Sequence, residues 1–240
     1  MPCIRPLAKK PQRRVFGRKT GRPLKEGRQV VLDELLPFLQ IPEDSLTEKA
    51  NLNPETLFAT PYTALWLEIG FGNGEHLTAL MERHPDHAYI GAEPFVNGMS
   101  AFLKDIQDKP HNHIRVHMDD AMMIANSLTD ECLDGIYVLN PDPWPKQRHH
   151  KRRIISPANL DQFARILKPD GQLIMSTDVP DLAEWMVTQA SLHPAFEWTA
   201  EKADDWRTPP PDWIKTRYEG KRAKGADKMV YLIFKRSAAL

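Results

Sequence analysis

The chain has 240 residues, 41% of them hydrophobic, and its 32 Lys/Arg balance 32 Asp/Glu. That suits one sizeable globular domain with an appendage, and no apolar run approaches the ~20 residues of a membrane span. Cys3 and Cys132 are too few and too far apart for a disulfide framework or a zinc motif, so a reduced, cytoplasmic setting is expected.

The neutral total hides three charge regimes. Residues 1–30 carry ten Lys/Arg against Glu26, and residues 31–139 carry eighteen acids against five bases. Residues 140–153 then carry five bases against Asp142. A basic arm and a basic loop on an acidic body suggest a polyanionic partner; a disordered tail and a solvated loop fit the same pattern. The N-terminus lacks the apolar centre of a secretory signal. It is Arg-rich like a transit peptide, but holds no Ser and several Pro and Gly, which break an amphipathic helix.

Residues 1–45 read as a flexible basic arm and 46–240 as one domain. A short helix begins near Glu26, with Val30, Val31, Leu35 and Leu36 as its apolar stripe. From about Thr63, strands and helices alternate. "TALWLEIG" is a first strand, followed by a helix from Gly74 to His84 with Leu77, Leu80 and Met81 on one face. "HAYIGAEP", a helix over Asn97–Gln107, "HIRVHMDD" and "CLDGIYVLN" come next. Ser156 and Pro157 suit the N-cap and first turn of a helix whose stripe is Leu160, Phe163, Ala164 and Leu167. "GQLIMSTD", a helix over "DLAEWMVTQA", and two last strands, "FEWTAEKA" and "KMVYLIFKR", complete the chain. The alternation predicts an α/β fold, a doubly wound, mostly parallel seven-stranded sheet with an antiparallel final strand.

Ligands of such sheets sit beyond the carboxyl ends of the strands. There the chain places Glu68 to Gly74, Glu93, Asp119–Asp120, Asn140 to Trp144 and Thr177–Asp178. Gly70, Gly72 and Gly74 allow a tight turn and close approach of a ligand. A dinucleotide fingerprint needs glycine at position 75, which is Glu75. With Glu68, that carboxylate would repel a pyrophosphate at the helix N-terminus. The loop suits a cationic ligand instead. Glu93, about twenty residues on, can accept from both hydroxyls of a ribose. Asp120 can accept from an adenine amino group, and either Asp119 or Asp120 can cap the next helix. Adenine, ribose and a cationic tail describe S-adenosylmethionine.

"NPDPWPKQRHHKRR" follows the fourth strand. Asn140, Asp142 and Trp144 each precede a proline, which pushes them toward extended dihedrals. The segment is expected to be a stiff mount for Asp142. Trp144 either walls a base pocket or packs under the loop. Lys146, Arg148, Lys151, Arg152 and Arg153 suit phosphates, with His149 and His150 contacting the nucleic-acid backbone rather than a metal. Lys215 to Lys228 adds six bases against two acids. His111, His113 and His117 fall on one face of a strand, but no cysteine or acid completes a ligand set, and no metal is expected.

These features resemble the class I methyltransferases, whose fold is Rossmann-like. "NPDPWPKQRHHKRR" resembles the "PDPWxKxRHxKRR" loop of the bacterial tRNA (guanine-N7)-methyltransferase family. "TDVPDLAEWM" is similar to that family's "TDxxxYAxxM", with Leu182 at the usual aromatic position. Thr216-Arg217-Tyr218-Glu219 is similar to its late "T-[RK]-[FY]-E", and "RRVFGRKTGR" to its N-terminal "R-x-FGRRxGR". The resemblance implies cofactor contacts at Glu68, Gly70, Gly72, Glu93, Asp120 and Asp142, with Asp142 catalytic. It implies substrate contacts at Lys146, Asp178, Thr216, Arg217, Tyr218 and Glu219. RNA contacts fall on Arg148, His149, His150, Lys151, Arg152 and Arg153. The implied reaction moves a methyl group from S-adenosylmethionine to N7 of guanine 46 of tRNA, with no membrane and no obligate protein partner.

Two other readings use the same residues. "NPDPW" is close to the "(D/N)PP(Y/F/W)" signature of exocyclic-amine (N2/N6) methyltransferases, although Asp142 splits the prolines. A non-catalytic RNA-binding protein on the same fold would need no S-adenosylmethionine, and the acids at 68, 93, 120 and 142 argue against it.

Overall fold

A computed structural model describes residues 15–238 except 48, 217, 218 and 220–227. Two short helices, α1 (Glu26–Glu34) and α2 (Leu36–Leu39), precede the alternating part. That part runs β1 (Leu65–Ile69), α3 (Glu75–Arg83), β2 (Ala88–Ala92), α4 (Val96–Ile106), β3 (Ile114–His117), α5 (Ala121–Ser127) and β4 (Leu133–Leu139). It continues through α6 (Pro157–Ile166), β5 (Leu167–Thr177), α7 (Pro180–Leu192), β6 (Phe196–Trp198), α8 (Asp204–Arg207) and β7 (Val230–Arg236).

The seven strands lie in the order β3-β2-β1-β4-β5-β7-β6. Those from β1 to β5 pair in parallel, and β7 runs antiparallel to both β5 and β6. Helices cover both faces, which is why β1 and β2 read as nearly continuous apolar runs. One core gathers Leu65, Leu67, Ile90, Ile136, Val138 and Leu173 with α5, α6 and α7. The other gathers Leu77, Leu80, Met99, Phe102 and Leu103 of α3 and α4 with Val31, Leu36 and Leu39.

The folded body therefore starts before residue 46. Val31, Leu36, Leu39 and Ile41 are all buried, because α1 and α2 close the apolar side of α4 and β3. Val30, expected on the stripe, is 42% exposed. Leu167, expected on the helix stripe, instead opens β5 and pairs with Leu133. Pro157 occupies the first turn of α6 as expected, but Ser156 makes no side-chain cap.

Candidate active site

Chain winding reverses between β1 and β4, which are neighbours in the sheet. Ligands of such sheets bind beyond the carboxyl ends at this point, where the loop from Gly70 to Gly74 leaves β1. Gly70, Gly72 and Gly74 all adopt positive φ, at 71°, 62° and 81°, a region that L side chains rarely enter. Helix α4 crosses so close behind that a Cβ on Gly98 would stand 2.4 Å from the Gly72 carbonyl oxygen.

Glu93 fastens this loop. Its Oε2 accepts from the Gly72 amide at 2.7 Å and its Oε1 from the Phe95 amide at 2.8 Å. Burial raises its carboxyl above the ordinary range; the two N–H donors oppose that, and the nearby charges of Asp142 and Glu68 add to it. Glu68 is itself buried, and its Oε2 accepts from His76 Nδ1 at 2.9 Å. His76, in the first turn of α3, stands edge-on to Tyr137 with ring centroids 4.8 Å apart. Asp120 caps α5 by accepting from the Met122 amide at 2.9 Å, while Asp119 accepts from the Asp120 amide.

Asp142 lies on the loop after β4 and opens to solvent. Protein atoms still crowd its inner side, and that desolvation raises its carboxyl above the ordinary range. The loop is held differently from the sequence-based expectation. Asn140 has φ 49° and Trp144 has φ 43°, so two of the three pre-proline residues are left-handed rather than extended. Each such residue costs about 1–3 kcal/mol and persists only where surrounding contacts fix it. Those contacts are present. The Asn140 amide donates to the Ser176 carbonyl at 2.8 Å, and Asn140 Nδ2 donates to Thr216 Oγ1 at 3.2 Å. Arg153 Nε donates to the Pro143 carbonyl at 2.9 Å.

The basic run divides in two. Lys146, Arg148 and Lys151 are exposed on or beside a 3-10 turn over Gln147–Arg152. Arg152 lies over the rings of Phe16 (4.7 Å) and Trp144 (5.0 Å). Trp144 also meets Phe16 and His149 edge-on, so its ring packs with the loop and the arm. His149 is pushed toward its neutral form by local desolvation and by the surrounding Arg152, Arg148, Lys146 and Lys151. His150 stands against Trp185. Arg153 is only 2% exposed.

Of the late motif, Thr216 and Glu219 are joined through the Thr216 amide, which donates to Glu219 Oε1 at 3.1 Å. Trp213 Nε1 donates to the same oxygen at 3.1 Å. Arg217 and Tyr218, and most of the basic stretch 215–228, lie outside the described residues. Asp178 is half-buried at the end of β5. It does not cap α7; the cap position is Val179, whose amide donates to Thr177 Oγ1. The three histidines near β3 diverge: His111 bonds the Lys109 carbonyl, His113 pairs with Thr60, and His117 is buried.

Sequence reasoning missed the arm as a wall of this site. Residues 17–22 touch the segments that follow β2, β3 and β4. A Cβ on Gly17 would stand 3.4 Å from Asp142 Oδ2, and Lys19 Nζ pairs with Asp119 Oδ1 at 3.3 Å. The Val96 amide donates to the Lys19 carbonyl, the Gly21 amide to Asn97 Oδ1, and Asn97 Nδ2 to the Arg22 carbonyl. The available signal was "FGRKTGR", a motif too polar to read as part of a core. His76 gave no signal, because nothing local marks a histidine on an apolar helix face as a partner for Glu68.

Residues 63–232 match a family described as "Putative methyltransferase". The tRNA (guanine-N(7)-)-methyltransferase of Rhodospirillum rubrum is 44% identical over 223 residues, covering 93% of this chain and 88% of that protein. That of Rhizobium meliloti is 43% identical over 222 residues, covering 92% and 94%. Two solved structures share the fold at low identity. The 16S rRNA methyltransferase KamB is 13% identical with a TM-score of 0.53, over 73% of this chain and 89% of that one. A precorrin-6y C5,15-methyltransferase from Geobacter metallireducens is 12% identical with a TM-score of 0.50, over 82% and 86%. With relatives this similar along nearly its whole length, the chain belongs to the tRNA (guanine-N7-)-methyltransferase family.

Proposed function

We propose that this chain transfers the methyl group of S-adenosylmethionine to N7 of guanine 46 in tRNA. One observation carries the reading. Glu68, Glu93, Asp120 and Asp142 end or follow four strands around three left-handed glycines, and desolvation raises the carboxyls of Glu93 and Asp142. A ligand with sulfonium and ammonium charges relieves that cost.

The glycine loop leaves room for the ligand's backbone-facing side, since nothing stands within 4 Å of a Cβ built on Gly70. Both oxygens of Glu93 already accept one amide each. A carboxylate oxygen has two lone-pair sites, so the ribose hydroxyls can take the others. Asp120 uses Oδ1 to cap α5, leaving Oδ2 to accept from the adenine amino group. S-adenosylmethionine supplies an electrophilic methyl group on a sulfonium.

Guanine N7 carries a lone pair and no proton, so the protein need not remove one. Its task is orientation and charge stabilisation. Asp142 accepts from N1–H and the exocyclic amino group, a two-donor edge matched to a two-oxygen acceptor. Its charge also opposes the positive charge that grows on the purine. Lys146 on the same loop, Asp178 after β5, and Thr216 with Glu219 hold the nucleotide around the base. Lys146, Arg148 and Lys151 bind phosphates, which fix register rather than read sequence.

The test is incubation with unmodified tRNA and methyl-labelled S-adenosylmethionine, followed by nucleoside mass spectrometry and mapping. N7-methylguanosine at position 46 is expected. A methyl group on N2 or N6 overturns the reading.

A further inference from the structure

We propose that Arg153 is the positioning residue for Asp142 and not a phosphate ligand. The proposal rests on the reading of Asp142 as the group that orients guanine. Arg153 closes the basic run "KQRHHKRR", yet it is 2% exposed while Lys146, Arg148 and Lys151 face solvent. A guanidinium at that depth cannot neutralise a phosphate arriving from outside.

Its bonds go to protein groups. Nε donates to the carbonyl of Pro143, the residue after Asp142, at 2.9 Å. Nη2 is ion-paired with Asp181 in the first turn of α7. The guanidinium lies over the Trp185 ring, 5.1 Å from its centroid, and Trp185 Nε1 donates to the Ile155 carbonyl at 2.6 Å. Arg153 thus bolts the Asp142 loop to α7, three residues beyond Asp178.

The loop needs such a bolt. Asn140 and Trp144 bracket Asp142 at positive φ, and each precedes a proline that disfavours it. Asn140 is held by Ser176 and Thr216 on the upstream side. On the downstream side, Arg153 holds the Pro143 carbonyl. A rigid planar fork can meet a carbonyl, a carboxylate and an aromatic face together; a lysine ammonium cannot.

The experiment compares Arg153→Lys, Arg153→Gln and Asp181→Asn with Arg148→Gln and Lys151→Gln in the full-length enzyme. Two quantities are read: tRNA affinity against salt, and the single-turnover methylation rate at saturating tRNA and S-adenosylmethionine. Arg153→Lys is expected to slow single turnover by about tenfold or more, because small misplacements of a catalytic group are costly. Arg153→Gln, which removes the charge as the two surface variants do, is expected to leave tRNA affinity and salt slope within about twofold of wild type, since no phosphate contact is lost. Asp181 is 64% exposed at its side chain, so Asp181→Asn keeps the fold and slows turnover in the same direction. Arg148→Gln and Lys151→Gln weaken tRNA binding, each lowering the salt slope by about one.

The proposal is overturned if Arg153→Gln loses tRNA affinity and salt slope as the surface variants do. It is equally overturned if both Arg153→Lys and Asp181→Asn turn over at the wild-type rate. Tighter tRNA binding by Asp181→Asn with no loss of rate also sinks it, since that would mark Arg153 as a phosphate ligand restrained by Asp181. Failure of the underlying reading looks different: Asp142→Ala would then keep full turnover whatever Arg153 does.

Discussion

Asn140 Nδ2 donates to Thr216 Oγ1 at 3.2 Å, so the end of β4 and a turn 76 residues later share one hydrogen bond. The same Asn140 holds φ 49° ahead of Pro141, and its amide is fixed to Ser176. Thr216 in turn is joined to Glu219 and, through it, to Trp213. Thr216→Val keeps the shape of the side chain and removes the acceptor. It is expected to cost about 0.5–1.5 kcal/mol, a fall of roughly 2–4 °C in Tm per kcal/mol for a chain of this size. Single-turnover methylation is expected to slow by about tenfold or more. Thr216→Ser restores the bond and most of both quantities. Equal rates in the Val and Ser variants would show that the bond does not position the loop.

Asp142 gives a sharper test, because its effects on stability and on rate have opposite signs. Its carboxyl is raised by desolvation, so the folded protein disfavours the ionised form. At neutral pH, Asp142→Asn removes that penalty, and Tm is expected to hold or rise slightly. The same change removes the charge that opposes the purine cation. Single turnover is expected to fall about 10²–10³-fold, the usual cost of losing one preorganised transition-state group. Thermal melts and quenched single-turnover assays on one preparation decide it; a variant with near-wild-type rate refutes the role.

The pH dependence of cofactor binding follows from the two raised acids. Burial raises Glu93, and crowding raises Asp142. A cationic ligand favours their ionised forms, so binding releases protons and affinity is full only above the raised values. As pH falls, affinity is lost through a window that starts above the ordinary carboxylate range of about 4. Calorimetry in buffers of different ionisation enthalpy measures both the affinity and the proton release. Glu93→Gln is expected to weaken binding and flatten the pH slope.

The strand-helix alternation, the glycine loop and the Asp120 cap were legible in the sequence because each is local. Periodicity reports which face of an element is buried, and a positive-φ turn asks for glycine within a few residues. The pre-proline rule is local too, and there it failed. Tertiary bonds from Ser176, Thr216 and Arg153 hold Asn140 and Trp144 where local preference would not. Arg153 and Lys151 look alike in a charge run; only the fold shows that one is buried against Trp185 and the other faces water. Residues 26–41 show an apolar stripe, but nothing local says what it packs against. Their burial depends on α4 and β3, which lie far along the chain.

Helix α4 offers a test of how tightly the glycine loop is held. A Cβ at position 98 would meet the Gly72 carbonyl oxygen at 2.4 Å and its carbonyl carbon at 3.0 Å. Both are backbone atoms, so neither can rotate away; α4 or the loop must shift. Gly98→Ala is therefore expected to destabilise by about 1–3 kcal/mol, the usual cost of overpacking, although alanine is the better helix former. The Gly72 amide that donates to Glu93 lies in the adjoining peptide of the same loop, so a shift of the carbonyl disturbs it too, and S-adenosylmethionine affinity should fall together with Tm. At Gly27 of α1, by contrast, an added Cβ would have nothing within 4 Å. Gly27→Ala is expected to stabilise by about 0.4–1 kcal/mol and leave cofactor affinity alone. Paired melts and titrations of the two variants separate helix propensity from steric contact. A Gly98→Ala protein as stable as Gly27→Ala would show that α4 does not press on the loop.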